Sequence, residues 1–112
     1  MTVRGYHIHF YCQLGQISLA QQIREKLLSE LTVINGAGPV RTRPVGPHPL
    51  PMFEAWFAPE GFEEVRQWAI QNRQGLSVMI HPITGDDYRD HAEGAQWLGE
   101  ELPLNLEILK NL

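Results

Sequence analysis

Cysteine is nearly absent from this chain: Cys12 is the one thiol in 112 residues. A single cysteine excludes an intramolecular disulfide and fits a reducing compartment. Basic charge is also scarce. Nine lysines and arginines stand against thirteen acidic residues, for a formal net charge of −4 and a pI near 5.7. That balance argues against nucleic-acid binding, because neutralising phosphates needs a basic surface. The cations are scattered, with no polybasic block to meet a membrane surface. No apolar run approaches the roughly 18 residues of a membrane span. MTVRG leads straight into a strand pattern, without the charged-then-apolar signature of a signal peptide. The expectation is a cytoplasmic protein that binds neither nucleic acid nor membrane. With 43% hydrophobic and 20% charged residues, and no repeat, linker or low-complexity stretch, residues 1–112 read as one globular domain.

What the chain does have is histidine in telling places. His7, His9, His48, His81 and His91 all fall in candidate strands or in the Pro/Gly-rich connections beside them. None lies in the two strong amphipathic helix patterns. The first pair sits in YHIHFY, Tyr6 to Tyr11. A strand alternates its faces, so Tyr6, Ile8 and Phe10 point one way and His7, His9 and Tyr11 the other.

Periodicity predicts the remaining elements. Ser18 with Gln21 three residues on reads as a capping box, opening a helix with Ala20, Ile23, Leu27 and Leu31 on its apolar stripe. The glycine-rich run from Asn35 to Pro39 ends that helix, and Pro39 to Val45 reads as an edge strand because it carries two prolines. MFEAWF, Met52 to Phe57, is a strand with Phe53, Ala55 and Phe57 inward and Glu54 and Trp56 on the other face. Pro59 and Glu60 open a second helix with Phe62, Val65, Trp68 and Ala69 inward, and Gly75 suits its C-terminal end. Leu76 to His81 alternates as a further strand, with Ser77, Met79 and His81 opposite the core face. In the tail, Asp90 with Glu93 predicts a short helix starting at His91 and carrying Ala95, Trp97 and Leu98, and Leu104 to Leu109 predicts a last strand. The order is the α+β, ferredoxin-like βαββαβ plan: an antiparallel sheet with both helices on one face, plus a C-terminal loop-helix-strand extension.

In that plan the first and third strands are central and the fourth pairs with the first. His7, His9, His81 and Glu54 therefore converge on the face the helices leave open. Two imidazoles plus a carboxylate is the facial triad of non-haem Fe(II) oxygenases, and three imidazoles suit Zn(II) or Fe(II) equally. Histidines two apart on a strand project from one face about 7 Å apart at the backbone. Spacing alone does not choose the metal. The plainer reading is of solvent-facing or interfacial histidines, with Trp56 and Met79 as packing and Cys12 as a small semi-buried residue. Two loops add candidates. HPITGDDYRDH, His81 to His91, can close over the open face and bring His91 as an acid/base, or it can simply cap the sheet. In GPHP, prolines flank His48 and restrict its backbone, which suits a preorganised proton-handling ring or a loop anchor. Arg73 and Arg89 are solvated charges or partners for a substrate carboxylate.

HIHFY, PVGPHPLPMFE, NRQGLSVMIHP and the HPITGDDYRDH…W run, taken together and in this order, resemble the DOPA 4,5-dioxygenase family over about Tyr6 to Asn105. The resemblance implies a homodimeric ferredoxin-like enzyme that uses non-haem Fe(II) and O2 to open a catechol ring beside its two hydroxyls. Zinc or another divalent metal would be able to take the place of iron in a purified sample. The substrate implied is a small catechol, with L-DOPA as its representative. On this reading His7, His9 and His81, with Glu54 as a carboxylate, hold the iron, and His48 and His91 are acid/base groups. Tyr11, Trp56 and Tyr88 shape a flat pocket for the ring.

Two other classes compete. HIHFY has the alternating histidines of histidine-triad nucleotide hydrolases, but Tyr11 stands where a third histidine is needed. The other alternative is a non-catalytic dimeric ferredoxin-like binding module with interfacial histidines, which would bind no stoichiometric metal.

Overall fold

The computed structural model describes residues 2–110. Among them, β1 (Gly5–Tyr11), β2 (Ile34–Ala37), β3 (Met52–Phe57), β4 (Val78–Ile83) and β5 (Gln96–Leu98) form an antiparallel sheet in the order β2-β3-β1-β4-β5. Helices α1 (Ile17–Glu30) and α2 (Phe62–Asn72) cover one face, and a short α3 (Asp87–His91) follows β4. This is the ferredoxin-like α+β fold, extended by β5 on the outer edge of β4.

Alternation in the strands explains the main core. Ile8 and Phe10 of β1, Phe53, Ala55 and Phe57 of β3, and Val78 and Ile80 of β4 meet Ala20, Ile23 and Leu27 of α1 and Val65, Trp68 and Ala69 of α2. Phe10 and Phe53 stack with ring centroids 4.9 Å apart. Burying a large apolar side chain of this kind contributes about 1.5–3 kcal/mol. The helix closes where its backbone turns left-handed: Gln74 and Gly75 both have positive φ, at 50° and 83°.

Several boundaries differ from expectation. A single 3-10 turn, Leu14–Gln16, precedes α1, and Gln16 Oε1 accepts from the Gln13 amide at 2.9 Å, so Ser18 already lies inside helical structure and caps nothing. The edge strand is not Pro39 to Val45 but Ile34–Ala37, in the glycine-rich run. Gly36 is required there because a Cβ would stand 2.6 Å from the Trp56 ring. Of the expected strand only Arg41 pairs, in an isolated bridge to Met52. β4 runs on past His81 to Ile83. Pro82 is tolerated because β5 pairs only with Val78 to Ile80, leaving the outer side of β4 free beyond them.

The tail is also rearranged. Asp86, not Asp90, caps α3, accepting from the Arg89 amide at 3.1 Å, and the helix ends at His91 instead of beginning there. Trp97 and Leu98 belong to β5. Leu106–Leu109 is a 3-10 turn, not a strand, since Gln96–Leu98 already occupies the free edge of β4. No helix among the described residues is long and apolar enough to cross a membrane.

Candidate functional site

The sheet face away from α1 and α2 is divided. Toward one end Tyr11, Met52 and Met79 form a second, smaller core under Leu50, Trp97, Leu102 and Leu104. The C-terminal segment thus covers part of a face that would otherwise be bare. The rest of the face carries imidazoles. In the register, His7 lies opposite His81 of β4 and Trp56 of β3, while His9 lies opposite Glu54 and Met79. Directly opposed residues share a face, so the central strand alone brings His7, His9, His81 and Glu54 together.

Two loops complete the cluster. His48 stands in the connection from β2 to β3, where its amide donates to Val45 O and Pro47 O accepts from the Asn105 amide at 2.8 Å. His91 arrives on the last residue of α3. The loop before α3 is held by Asp90, which is 3% exposed and accepts from the Thr84 amide at 2.9 Å and the Thr84 hydroxyl at 2.6 Å. All five histidines of the chain therefore meet, with His9 at the centre: its ring centroid is 4.4 Å from His48, 5.1 Å from His81, 6.0 Å from His7 and 6.4 Å from His91. The His81 and His91 rings are 4.0 Å apart.

Hydrogen bonds fix which nitrogens are free. His81 Nδ1 lies 2.9 Å from Pro82 O and His91 Nδ1 lies 2.8 Å from Asp87 O. Carbonyls only accept, so in both neutral rings Nδ1 carries the proton and Nε2 presents a lone pair. His9 Nε2 lies 3.1 Å from His81 Nε2, and His9 Nδ1 is the one fully buried side-chain polar atom among the described residues without a partner. Glu54 Oε2 stands 3.6 Å from His7 Nδ1 and 3.8 Å from His9 Nε2.

Four of the five imidazoles, His7, His9, His48 and His81, are held toward the neutral form. Burial, followed by the fields of His48, His81 and the other rings, pushes His9 well below the ordinary histidine value. Burial and then His91 bring His48 down to about 4, and the same two causes lead in bringing His81 down to about 3. For His7 burial again leads, opposed by Glu54, and the net shift is downward. Burial, seconded by Glu54, raises the Tyr11 phenol, which stays protonated.

Neutral imidazoles with converging lone pairs are a metal-binding donor set. Two overlapping trios have ligand atoms within 4.8 Å of one another: His7, His9 and His81, and His9, His48 and His91. Two nitrogens bound to one ion at bonds of about 2.1 Å stand roughly 3.0–3.4 Å apart, and the His9 and His81 Nε2 atoms are 3.1 Å apart. Only one proton can bridge that pair, and the neighbouring Nδ1 is orphaned, which costs roughly 1–3 kcal/mol in a group whose role is packing alone. The residues present fit a divalent ion.

Of the aromatic candidates, Tyr11 is buried, stacks on Trp97 at 5.7 Å and reaches His48 Nδ1 with its hydroxyl at 2.8 Å. Trp56 is about a third exposed, 6.3 Å from the His7 ring. Tyr88 lies against Lys110, whose ammonium is 5.3 Å from the ring centroid, and no ring contact described joins it to the histidines. Arg73 donates to Leu76 O and Arg89 pairs with exposed Glu93, so each cation has a local partner outside the cluster. Two contributors were not foreseen. Trp97 stands in a strand and not in the expected helix, and QWL itself fits a strand; Asp90 anchors the Thr84 turn instead of capping a helix, a role that only its burial reveals. A cleft of about 300 Å³ opens beside His91, with Trp97, Leu102 and Leu104 in its walls.

Comparison with known proteins adds a lineage. The family model described as "Dopa 4,5-dioxygenase family" matches residues 6–108. The uncharacterized 21.2 kDa protein of Botryotinia fuckeliana is 36% identical over 112 residues, covering 93% of this chain and 61% of its own length. The DOPA 4,5-dioxygenase of Amanita muscaria is 40% identical over 70 residues, which is 62% of this chain and 31% of that protein. The chain thus spans less than two thirds of either relative. A crystal structure of a candidate dioxygenase from Nostoc punctiforme PCC 73102 superposes with a TM-score of 0.91 at 37% identity, covering 97% of this chain and 93% of that one.

Proposed function

The chain belongs to the Dopa 4,5-dioxygenase family, and from that premise we propose that it is a non-haem Fe(II) extradiol dioxygenase that opens the ring of L-DOPA or a related catechol with O2. The observation that carries the reading is the 3.1 Å approach of the His9 and His81 Nε2 atoms, with Glu54 beside them. His7, His9 and His81 would hold the ion, and Glu54 supplies a negative charge and a potential fourth ligand. When bound, Fe(II) supplies the redox chemistry by which dioxygen reacts with an electron-rich ring.

The chain's own residues supply position and proton handling. The Pro82 carbonyl fixes His81 in the Nδ1–H form, keeping Nε2 available without a competing proton. His9 is 1% exposed and His81 3%, so bulk water is kept from the inner half of the cluster. His7, Glu54 and Trp56 are about a third exposed, at 31%, 35% and 37%, and form the side a small flat molecule can reach. Trp56 offers such a ring a stacking face. His91, with Nε2 bare, can take a phenolic proton and later return it.

The test is anaerobic reconstitution with Fe(II), addition of L-DOPA or a simpler catechol acid, and admission of air while oxygen and the visible spectrum are followed. One O2 consumed per substrate, with a yellow ring-opened product, is the expected result. Iron bound without oxygen uptake on any catechol tried would overturn the substrate class. No iron bound would overturn the reading as a whole.

A further inference from the structure

His48 approaches the cluster from the loop before β3 and His91 from the end of α3, and the groups that hold their outer nitrogens differ in character. The Asp87 carbonyl, 2.8 Å from His91 Nδ1, can only accept, so His91 carries its proton on Nδ1. The Tyr11 hydroxyl, 2.8 Å from His48 Nδ1, can give or take. Its surroundings decide between the two. Tyr11 is 1% exposed, its oxygen has no hydrogen-bond partner other than His48 among the described residues, and its ring is enclosed by Met52, Met79 and Trp97. A phenolic proton turned away from His48 would have no acceptor among the described residues. The hydroxyl therefore donates, His48 Nδ1 accepts, and the proton of the neutral His48 ring resides on Nε2. No partner for that Nε2 is found among the described side chains.

We propose that Tyr11 is a positioning residue that fixes His48 as an Nε2–H donor, so that His48 and His91 enter the reaction as a preset pair, one donor and one acceptor. What the pair acts on rests on the dioxygenase reading. His91 Nε2 takes a phenolic proton from the catechol and becomes an imidazolium. His48 Nε2–H gives a hydrogen bond, without transferring its proton, to the oxygen on which negative charge develops. The proton on His91 returns to the ring-opened product, so catechol plus O2 is converted with no net gain or loss of protons. The assignment also separates the two trios. With hydrogen on Nε2 and Nδ1 taken by Tyr11, His48 has no lone pair for an ion, which leaves the metal to His7, His9 and His81.

Long-range proton–nitrogen spectra of the ¹⁵N-labelled full chain at pH 7.5 test this directly, first metal-free and then loaded with Zn(II) as a diamagnetic probe. Expected are an Nε2–H His48 and an Nδ1–H His91 in both states, with Zn(II) shifting His7, His9 and His81. In Tyr11→Phe, His48 should become a mixture of tautomers, and kcat for oxygen uptake should fall roughly tenfold with KM changed less than about threefold. An Nδ1–H His48 in the wild type would overturn the proposal, as would Zn(II) ligation by His48 or a Tyr11→Phe protein unchanged in both tautomer and kcat. If that variant does not fold, the wild-type spectra decide alone. Failure of the iron reading would look different: both tautomers as stated, but no metal bound or no oxygen consumed.

Discussion

At His81 the two ring nitrogens have separate tasks, and a substitution there removes both. The Pro82 carbonyl holds Nδ1–H, and Nε2 faces His9 Nε2 at 3.1 Å. His81→Ala should therefore abolish stoichiometric uptake of Fe(II) or Zn(II), read by metal analysis after dialysis. Retention of one ion per chain would show the ligand set to be wrong. Glu54→Gln is the contrasting case. Its carboxylate stands 3.6 Å and 3.8 Å from two of the rings, with 35% of its side chain exposed. Weakening of Zn(II) binding by roughly 10–100-fold is expected, as for loss of a supporting group around a metal, with little change in the unfolding midpoint. An unchanged titration would remove Glu54 from the site. The faces of these residues were legible in YHIHFY and MFEAWF because strand alternation is a property of the backbone alone. The tautomers were not, because they depend on partners that only the folded chain supplies: Pro82 O, Asp87 O and a tyrosine 37 residues from His48.

At the scale of elements, the sheet center was readable and its edges were not. β1 and β3 carry alternating apolar residues whose partners are set by the fold plan. β2 was misplaced because its defining residue, Gly36, reads as a breaker until the Trp56 ring lies against it. The tail is ambiguous in sequence because Asp86 and Asp90 both suit a cap, and only Asp86 serves as one, leaving Asp90 to bind Thr84. That second role carries a prediction. Asp90→Ala leaves the Thr84 amide and hydroxyl, both part-buried, without their acceptor, at a cost of about 1 kcal/mol in unfolding free energy. Urea denaturation measures it. Because the same loop delivers α3, the His91 ring signals of Asp90→Ala should also broaden, while those of His7, on the sheet, stay sharp. Equal broadening at both positions would mean that the anchor supports the whole fold and has no particular hold on His91.

For the whole molecule, gathering every histidine into one partly dry cluster makes stability depend on pH. Burial, the leading cause in each case, holds the folded values of His9, His48 and His81 below the ordinary 6.5, with His48 at about 4 and His81 at about 3. The unfolded chain, whose histidines titrate near 6.5, therefore binds more protons than the folded chain between 6.5 and those lower values. Where the unfolded state holds more protons, unfolding free energy rises with pH. The contribution of these rings is thus fully present above about pH 6.5 and is lost as pH falls toward 4 and then 3. Each titrating ring adds a slope of up to about 1.4 kcal/mol per pH unit. The metal-free protein should accordingly show a lower urea midpoint at pH 5 than at pH 7.5. A divalent ion, which needs the lone pairs of the folded rings, should raise the midpoint at both pH 7.5 and pH 5, because burial keeps His81 neutral down to about pH 3 and holds His9 well below 6.5. Urea titrations with and without Zn(II) at the two pH values make four measurements. A metal-free midpoint that does not move between them would mean that the imidazoles are hydrated and free to protonate in the folded state. The cluster would then be too open for the dry, neutral donor set on which the metal reading depends.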